Sequence, residues 1–274
     1  MTKDVYVITG GSEDLAIALA QHIGQKGTLL LVDACEKCLG QVKQQLEQKG
    51  INDVRCETAD LTSKQAVGKL AEKTSALGSL RGLIHAAGMS NTSDSKRMMA
   101  ENVIGMSHVL EAFLPLADEA TSAVMVSSMS AYMVPQNGQY MDALKQQLSA
   151  NLLETLNQFT QGDAGAANSM SKLAVQLIVE DQAWAWGEKG ARLNSVSPGL
   201  MNEPGACEDI QTMLDHTPLR RTAEPEEIAS AIGFLLSDSA SYITGIDLRI
   251  DGGAIANYPR MKAAISQQKT KRFQ

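Results

Sequence analysis

The chain has 274 residues, a formal net charge of −7 and a pI of about 5.2. This length accommodates one large α/β domain or two small ones. The acidic balance argues against a nucleic-acid-binding protein, which usually carries a basic patch. No apolar run reaches the roughly 18 residues of a membrane helix, and the N-terminus lacks the hydrophobic region of a secretory signal. We therefore expect a cytoplasmic protein that binds neither nucleic acid nor membranes.

The four cysteines, at positions 35, 38, 56 and 207, fit reduced thiols better than a disulfide scaffold. Cys35 and Cys38 form a lone CxxC motif. A zinc site would need two further ligands at suitable spacing, and a redox role would need a thioredoxin-like setting. We therefore interpret this pair as ordinary residues at a helix start, and we expect no metal.

Apolar, strand-like runs alternate along the chain with segments of helical periodicity, such as 15–26 and 34–50. The predicted strands are 5–9, 28–32, 54–58, 82–85, 123–126, 192–196 and 247–250. Such alternation implies right-handed βαβ units and a parallel sheet that is covered on both faces. The sequence therefore predicts a single doubly wound α/β domain with a seven-stranded parallel sheet. Ligands bind such sheets at the carboxyl ends of the strands.

One segment, 131–167, interrupts this alternation and is rich in Gln, Asn and Leu. Within it, 142–159 has the pattern of an amphipathic helix and 160–165 that of a loop. We interpret the segment as a helical insertion that lies over the mouth of a site or at a subunit interface. The basic stretch 262–272 is interpreted as a solvated terminus.

The first predicted strand leads through Gly10 into a helix. A strand, a glycine turn and a helix N-terminus form the usual cradle for a dinucleotide pyrophosphate. The glycine pattern is incomplete, because Asp14 and Ala16 stand where further glycines are expected. Ser12 with Glu13 and Asp14 also makes a good helix N-cap with acids in the first turn. If these acids point inward, they should weaken the binding of an anionic cofactor.

Acidic and small residues follow the next strands. Asp33 ends the second strand about 20 residues beyond the glycine turn, where a carboxylate can accept hydrogen bonds from both adenosine ribose hydroxyls. No basic residue follows at position 34, which favours NAD over NADP. Asp60 and Leu61 follow the third strand and are candidates to meet the adenine ring. The stretch 86–88, Ala-Ala-Gly, lets a cofactor approach the backbone closely.

Ser128 follows the fifth predicted strand, 123–126, and a later helix carries Asn168 and Lys172. These two residues are one helical turn apart and share a face. A tyrosine at position 168 would complete a Ser/Tyr/Lys set that moves a proton to or from a carbonyl oxygen. The amide found there does not release a proton near neutral pH. Tyr132 and Tyr140 are the nearby phenols, and neither has the four-residue spacing to Lys172.

Together these motifs resemble the short-chain dehydrogenase/reductase family over roughly residues 4–255. The residues that carry the resemblance are Thr9-Gly10, Asp33, Asp60-Leu61, Ala86-Ala87-Gly88, Asn102, Ser128, Lys172, Ser197-Pro198-Gly199, Pro218–Arg221, Glu224–Ile228, Thr244-Gly245 and Asp251–Gly253. The resemblance implies a Rossmann domain over 1–258, with a substrate lid at 200–219 and a C-terminal tail at 259–274. It also implies a small alcohol or ketone substrate and a homo-oligomer, either a dimer or a tetramer.

The resemblance assigns roles to individual residues. Ser128 would polarise the substrate carbonyl, Lys172 would bind the nicotinamide ribose, Asn102 would order a proton relay, and Asn168 stands at the position of the catalytic tyrosine. The implied cofactor contacts are Gly10, Ser12, Leu15, Asp33, Asp60, Leu61, Ala86, Ala87, Gly88, Lys172, Pro198, Gly199 and Met201. His85 and the methionines 98, 99 and 106 are interpreted as packing residues.

A narrower resemblance rests on the long separation of Ser128 from position 168. It points to the bacterial 3-alpha-hydroxysteroid dehydrogenase/carbonyl reductase branch, and it implies a steroid-like or alicyclic substrate and a rearranged dimer. Three explanations of Asn168 stay open: an engineered knock-out, a natural departure with water as the proton source, and a pseudoenzyme. The chain is therefore either an oxidoreductase, impaired in this form, or a non-catalytic nucleotide-binding protein.

Overall fold

The computed structural model describes residues 3–88, 94–134, 138–144, 152–201 and 210–264. Its strands are β1 (Asp4–Thr9), β2 (Thr28–Asp33), β3 (Val54–Thr58), β4 (Ser79–His85), β5 (Ser122–Val126), β6 (Arg192–Pro198) and β7 (Asp247–Ile250). All pair in parallel in one sheet of order β3-β2-β1-β4-β5-β6-β7. The predicted seven-stranded parallel sheet is confirmed. The strand order reverses between β1 and β4, and such a switch point is where doubly wound sheets bind ligands.

Helices cover both faces of the sheet. They are α1 (Asp14–Ile23), α2 (Glu36–Gln48), α3 (Lys64–Leu77), α4 (Ser95–Met99), α5 (Met106–Phe113), α6 (Gly138–Leu144), α7 (Leu152–Thr160), α8 (Ala164–Gly187), α9 (Ile210–Asp215) and α10 (Pro225–Leu236). One apolar core packs α3, α5 and α8 against the sheet, and the other packs α1, α2 and α10. Successive residues of β1 alternate between these two cores, since neighbouring side chains of a strand point to opposite faces. No helix in the described ranges is long and apolar enough to cross a membrane.

The turn from β1 into α1 depends on Gly10. Its φ of +71° lies in the left-handed region, and a Cβ there would lie 2.7 Å from the backbone nitrogen of Ala87. The helix begins differently from the prediction. Glu13 is the N-cap residue and its side chain makes no capping hydrogen bond. Ser12 does not cap, because its hydroxyl donates instead to Asp33.

The helix after β4 is not regular. Between α4 and α5, residues Ala100–Gly105 form a π-helical segment, a distortion that is frequent at functional sites. It carries Asn102, which is buried at 2% exposure. Met98, Met99 and Met106 flank the segment and are fully buried in the core, as predicted.

Two described helices, α6 and α7, lie in the insertion and overlap the two ends of the helix predicted at 142–159. Residues 145–151, in the middle of that prediction, lie outside the described residues. Tyr140 of α6 is fully buried, packs edge-on against Phe159 of α7 at 5.5 Å between ring centroids, and donates a hydrogen bond to the carbonyl of Met170 in α8. The loop predicted at 160–165 is shorter in the structure, because α8 begins at Ala164. Asp163 caps this helix by accepting a hydrogen bond from the Ala166 backbone nitrogen at 2.6 Å.

The predicted lid and tail are described in part. Helix α9 lies in the lid, and residues 202–209 fall outside the described residues. At the other end, residues 258–264 are helical and Met261 is fully buried in a cluster with Met129 and Ala254. The first part of the predicted tail therefore packs against the domain.

Candidate active site

A cavity of about 650 Å³ lies at the carboxyl edge of the sheet, at the switch point between β1 and β4. It brings together Gly10, Asp33, Asp60, Leu61, Ala87 and Gly88, all predicted cofactor contacts. Glu13, Arg97 and Glu101 also line it, and the sequence analysis did not assign Arg97 or Glu101 a place there. The cavity therefore joins the glycine turn, the end of β2 and the end of β4, as a dinucleotide site requires.

Asp33 is already engaged in hydrogen bonds at one end of this cavity. Its Oδ2 accepts from the Ser12 hydroxyl at 2.7 Å and from the Ser12 backbone nitrogen at 3.2 Å, and its Oδ1 accepts from the Cys35 backbone nitrogen at 3.1 Å. A carboxylate offers about four lone-pair positions. A ribose held through both hydroxyls would therefore have to displace one of these donors, and the Ser12 hydroxyl is the one free to rotate away.

The two acids at the start of α1 differ in placement. Both are exposed, but Glu13 lines the cavity, whereas Asp14 is absent from its described lining. One negative side chain therefore stands at the positive end of the helix that faces the cavity. Arg97 supplies a positive charge nearby, and its Nε donates to Glu101 at 3.0 Å.

Asp60 is held as a charged group on the cavity wall. Its Oδ1 accepts from the Thr62 hydroxyl at 2.7 Å and from the Thr62 backbone nitrogen at 2.9 Å. These hydrogen bonds lower the pKa of its carboxyl group below the ordinary value. The side chain is exposed, so Asp60 contributes a solvated negative charge and an acceptor rather than a buried one.

Lys172 and Asn102 lie beside Gly88, which lines the cavity. A Cβ on Gly88 would lie 3.3 Å from the Lys172 Nζ and 2.8 Å from the Asn102 Oδ1. The Lys172 Nζ donates to the carbonyl of Val126, at the end of β5, at 3.3 Å. The structure therefore places the predicted lysine and asparagine beside the glycine loop that follows β4.

Asn168 is linked to Asn102 through a serine that the sequence analysis missed. The Nδ2 of Asn102 donates to the Ser171 hydroxyl at 2.9 Å, and that hydroxyl donates to the backbone carbonyl of Asn168 at 2.8 Å. The side-chain Oδ1 of Asn168 is buried and has no hydrogen-bond partner within the described ranges. A buried acceptor without a partner is unusual in a protein interior and is typical of a position that awaits a ligand or water.

Ser128 lies at the start of a 3₁₀ turn (Met129–Met133), and its hydroxyl accepts a hydrogen bond from the Ser130 backbone nitrogen at 3.2 Å. The preceding residue joins this loop to α8, because the Ser127 hydroxyl donates to the Lys172 carbonyl at 2.8 Å. The Ser130 Oγ is buried and has no partner among the residues described. Ser127 and Ser171 were missed because a hydroxyl that bonds to backbone has no distinctive sequence pattern.

The two phenols near position 168 in the sequence are engaged elsewhere. The Tyr132 hydroxyl donates to Asp247 at 2.7 Å, and its ring lies beneath the Arg249 guanidinium at 5.1 Å. The Tyr140 hydroxyl donates to Met170. Burial raises the pKa of both phenols well above the ordinary value. Neither is therefore poised to release a proton near neutral pH.

His85 is a packed residue at the end of β4, as predicted. It is 2% exposed, and its Nδ1 lies 2.9 Å from the Thr9 hydroxyl. Burial, with a smaller contribution from the nearby Lys172 charge, lowers its pKa to about 3. The imidazole is therefore neutral at physiological pH.

Several predicted cofactor contacts lie outside the described cavity lining. Leu15 is 6% exposed within the core, and Ala86 packs against the same core. Gly199 lines a separate small cavity of about 70 Å³, Pro198 ends β6, and Met201 pairs with Ala223 in an isolated bridge. Their predicted cofactor contacts stay predictions.

The structure contradicts the expectation that both cysteines of the CxxC motif are reduced thiols. Cys35 and Cys38 form a disulfide, with 5.3 Å between their Cα atoms, so the prediction of reduced thiols is wrong for this pair. The reason is local: Cys35 is the N-cap of α2 and Cys38 is three residues later, on the same side of the first turn. Cys56 is a free thiol, and Cys207 lies outside the described residues. Within the described part of the chain, no cluster of three or more His, Cys, Asp or Glu is placed to hold a metal ion.

Comparisons with known proteins agree with this geometry. A family model described as short chain dehydrogenase matches residues 4–147, and one described as enoyl-(acyl carrier protein) reductase matches residues 157–254. A short-chain dehydrogenase/reductase of Alternaria brassicicola is 27% identical over 95% of this chain and 98% of its own length. The 3-alpha-hydroxysteroid dehydrogenase/carbonyl reductase of Comamonas testosteroni is 32% identical over 71% of this chain and 81% of its own length.

A solved short-chain dehydrogenase/reductase from Mycobacterium ulcerans superposes with a TM-score of 0.76 at 24% identity, over 93% of this chain and 90% of that one. The chain therefore belongs to the short-chain dehydrogenase family, whose members include oxidoreductases of alcohols and ketones. The narrower hydroxysteroid branch is one of several kinds of relative, so the comparisons establish the family and not the branch.

Proposed function

We propose that this protein is an NAD(H)-dependent oxidoreductase that interconverts a secondary alcohol and a ketone, and that Asn168 limits its rate. The observation that carries the proposal is that Lys172 and Asn102 lie beside Gly88, which lines the same cavity as Asp33. A bound nicotinamide cofactor supplies or accepts the hydride. The residues of the chain bind, orient and move protons.

The residues of the cleft fit a dinucleotide. Gly10 brings the start of α1 against β4 and leaves no room for a Cβ, so backbone N–H groups can approach a pyrophosphate. Asp33 accepts hydrogen bonds and would repel a 2′-phosphate, and Ala34 adds no positive charge beside it. These features favour NAD over NADP. Arg97, the cation on the cavity wall, is in an ion pair with Glu101.

In this proposal, Ser128 holds the substrate oxygen, Lys172 holds the nicotinamide ribose and Asn102 orders a proton relay. Asn168 can form a hydrogen bond to the substrate oxygen, but it does not exchange a proton near neutral pH. Water relayed by Lys172 therefore acts as the proton source. Loss of positioned acid–base help typically lowers a rate by about 10²–10⁴-fold, so we expect slow turnover.

The substrate proposed is a bulky alicyclic or steroid-like alcohol or ketone. The Comamonas relative, which is named as a hydroxysteroid dehydrogenase, supports this class. So does a cavity of about 390 Å³ between the insertion and α8, lined in part by Met133, Val134, Phe159 and Met170. We further propose a homo-oligomer located in the cytoplasm.

A second candidate is a non-catalytic nucleotide-binding protein. The observation that favours it is the engagement of Tyr132 and Tyr140 in hydrogen bonds elsewhere, so neither of these two phenols is placed to replace the missing acid. The negative charge of Glu13 on the cavity wall also lowers the expected affinity for an anionic cofactor. Both candidates require the cleft to bind a nucleotide.

Calorimetric titration with NADH tests this shared requirement. We expect saturable binding, with NADPH at least tenfold weaker because Asp33 would face its 2′-phosphate. The Asp33→Asn variant serves as the control. It should lose at least tenfold in NADH affinity, in line with the roughly 1.5–3 kcal/mol of a hydrogen bond to a charged group, and it should lose the discrimination against NADPH. No binding of either nucleotide at millimolar concentration would remove both candidates.

A further inference from the structure

The first turn of α2 carries two sulfur atoms beside the cofactor cleft. Cys35 is the N-cap residue, in extended conformation, and its Sγ accepts a hydrogen bond from the Cys38 backbone nitrogen at 3.2 Å. The two residues are joined as a disulfide. Both are partly buried rather than enclosed, so a reductant in solution can reach them.

The disulfide is connected directly to the carboxylate proposed to hold the ribose. The backbone nitrogen of Cys35 donates to Asp33 Oδ1 at 3.1 Å, while Ser12 holds Oδ2. Asp33 and Ala34 both line the cavity. A change in the first turn of α2 therefore acts on one of the three donors that fix the Asp33 carboxylate.

We propose that Cys35 and Cys38 form a reversible dithiol–disulfide switch that controls nucleotide affinity, with the disulfide form binding NAD(H) more tightly. This inference rests on the proposed function, because the ligand of the cleft is taken to be NAD(H). The coupling itself rests on the contact between Cys35 and Asp33. In reducing compartments, disulfides are usually transient and redox-sensing.

The chemistry of the switch is thiol–disulfide exchange with a small or protein dithiol. A thiolate of the reductant attacks one sulfur of the pair and forms a mixed disulfide, and the second thiol of the reductant then displaces it. Two electrons and two protons pass to Cys35 and Cys38, which become thiols, and the reductant becomes a disulfide. Oxidation by a disulfide of the same class reverses every step.

The geometry of the two states sets the direction of the effect. In the disulfide, the bridge holds residue 35 where its N–H reaches Asp33. Reduction breaks the bridge and releases the constraint on the turn that orients the Cys35 N–H toward Asp33. A less firmly held Asp33 carboxylate opposes binding of the ribose.

The test compares NADH affinity of the fully oxidised and the dithiothreitol-reduced protein. We expect reduction to weaken NADH binding about tenfold. Because coupling between two equilibria is reciprocal, saturating NADH should lower the midpoint potential of the pair by about 30 mV, which is a tenfold change for a two-electron couple. Thiol titration should detect Cys56 and Cys207 in the oxidised protein and all four cysteines after reduction.

Two variants serve as controls. Cys56→Ser removes a thiol outside the pair and should keep the tenfold redox response, whereas the double variant Cys35→Ser/Cys38→Ser should bind NADH with one affinity under both conditions. Equal affinity of the oxidised and reduced wild-type forms, or failure of the pair to form a disulfide in folded protein, overturns the switch alone. Absence of NADH binding in both states overturns the proposed function together with the switch.

Discussion

We propose that Asn168 stands at the position where the family has its catalytic tyrosine. Its side-chain Oδ1 is buried without a partner in the described ranges, and such a group typically costs about 1–3 kcal/mol of folding free energy. The cost is removed when a ligand or water donates a hydrogen bond to it. In the proposed site, the hydroxyl of an alcohol substrate can donate to this Oδ1, although the amide has no proton to exchange near neutral pH.

Glu13, on the wall of the cofactor cavity, leads to a prediction about the affinity of the protein for NADH. Replacing Glu13 with Gln removes a negative charge from the cavity wall at the positive end of α1. We expect NADH affinity to rise two- to fivefold, consistent with the roughly 0.3–1 kcal/mol of a charge at a helix terminus. Calorimetry at low and high salt measures it, and the gain should shrink as salt screens the charge.

The matched control for Glu13 is Asp14→Asn, which removes an exposed acid that is not part of the described cavity lining. Its effect on NADH affinity should be smaller than that of Glu13→Gln. An unchanged or lower affinity of the Glu13 variant would show that this carboxylate does not oppose the cofactor.

The proposed active site lies where three elements of the fold converge. These elements are the end of β4, the π-helical segment Ala100–Gly105 and α8. The π-helical segment carries Asn102, α8 carries Lys172, and the glycine after β4 allows both to approach the backbone. The close packing follows from the absence of a side chain at position 88.

Gly88→Ala tests this convergence. The new Cβ would lie 2.8 Å from the Asn102 Oδ1 and 3.3 Å from the Lys172 Nζ, so both polar groups must move. We expect NADH affinity to fall at least tenfold and the free energy of unfolding to fall by about 1–3 kcal/mol, as for other overpacked sites. Denaturant unfolding and calorimetry measure the two effects.

Gly68→Ala is the control for that substitution. Gly68 lies within α3, and a Cβ there would meet no atom within 4 Å. Alanine should therefore leave NADH affinity unchanged and stabilise the helix by about 0.5–1 kcal/mol. If Gly88→Ala behaved like Gly68→Ala, the proposed packing of Lys172 and Asn102 at the glycine loop would be wrong.

Elements with strong local patterns were predictable from the sequence. The central strands were found because a parallel sheet covered on both faces needs continuous apolar runs. The two edge strands, β3 and β7, are more polar, and they still match the predicted bounds. The π-helical segment was not predicted, since it shares the apolar periodicity of an ordinary helix. Nor was the start of α8, which depends on one cap, Asp163.

The site was predictable in its residue types and less so in its contacts. Asp33, Gly88 and Lys172 were found through spacing, because each follows a strand or shares a helical face, whereas Asn102 was assigned only through the family resemblance. The hydrogen bond from Ser12 to Asp33 and the Cys35–Cys38 disulfide were missed. Both depend on side-chain distances between elements or within one turn, which spacing alone does not determine.

At the scale of the whole molecule, the sheet, its switch-point cavity and the family membership all describe an oxidoreductase scaffold. We propose that the cofactor cleft, the proton relay and the substrate region are all present and that one proton-transfer group is missing. Restoring that group should therefore restore turnover without any other change to the molecule.

The most direct measurement is the rate of NADH-dependent reduction of a cyclic ketone by Asn168→Tyr beside the wild-type chain. We expect kcat to rise at least a hundredfold, within the roughly 10²–10⁴-fold contribution of a positioned general acid. Asn168→Phe, which supplies the ring without the hydroxyl, should show no gain. An Asn168→Tyr variant that binds NADH as the wild type does and is no faster would contradict the account.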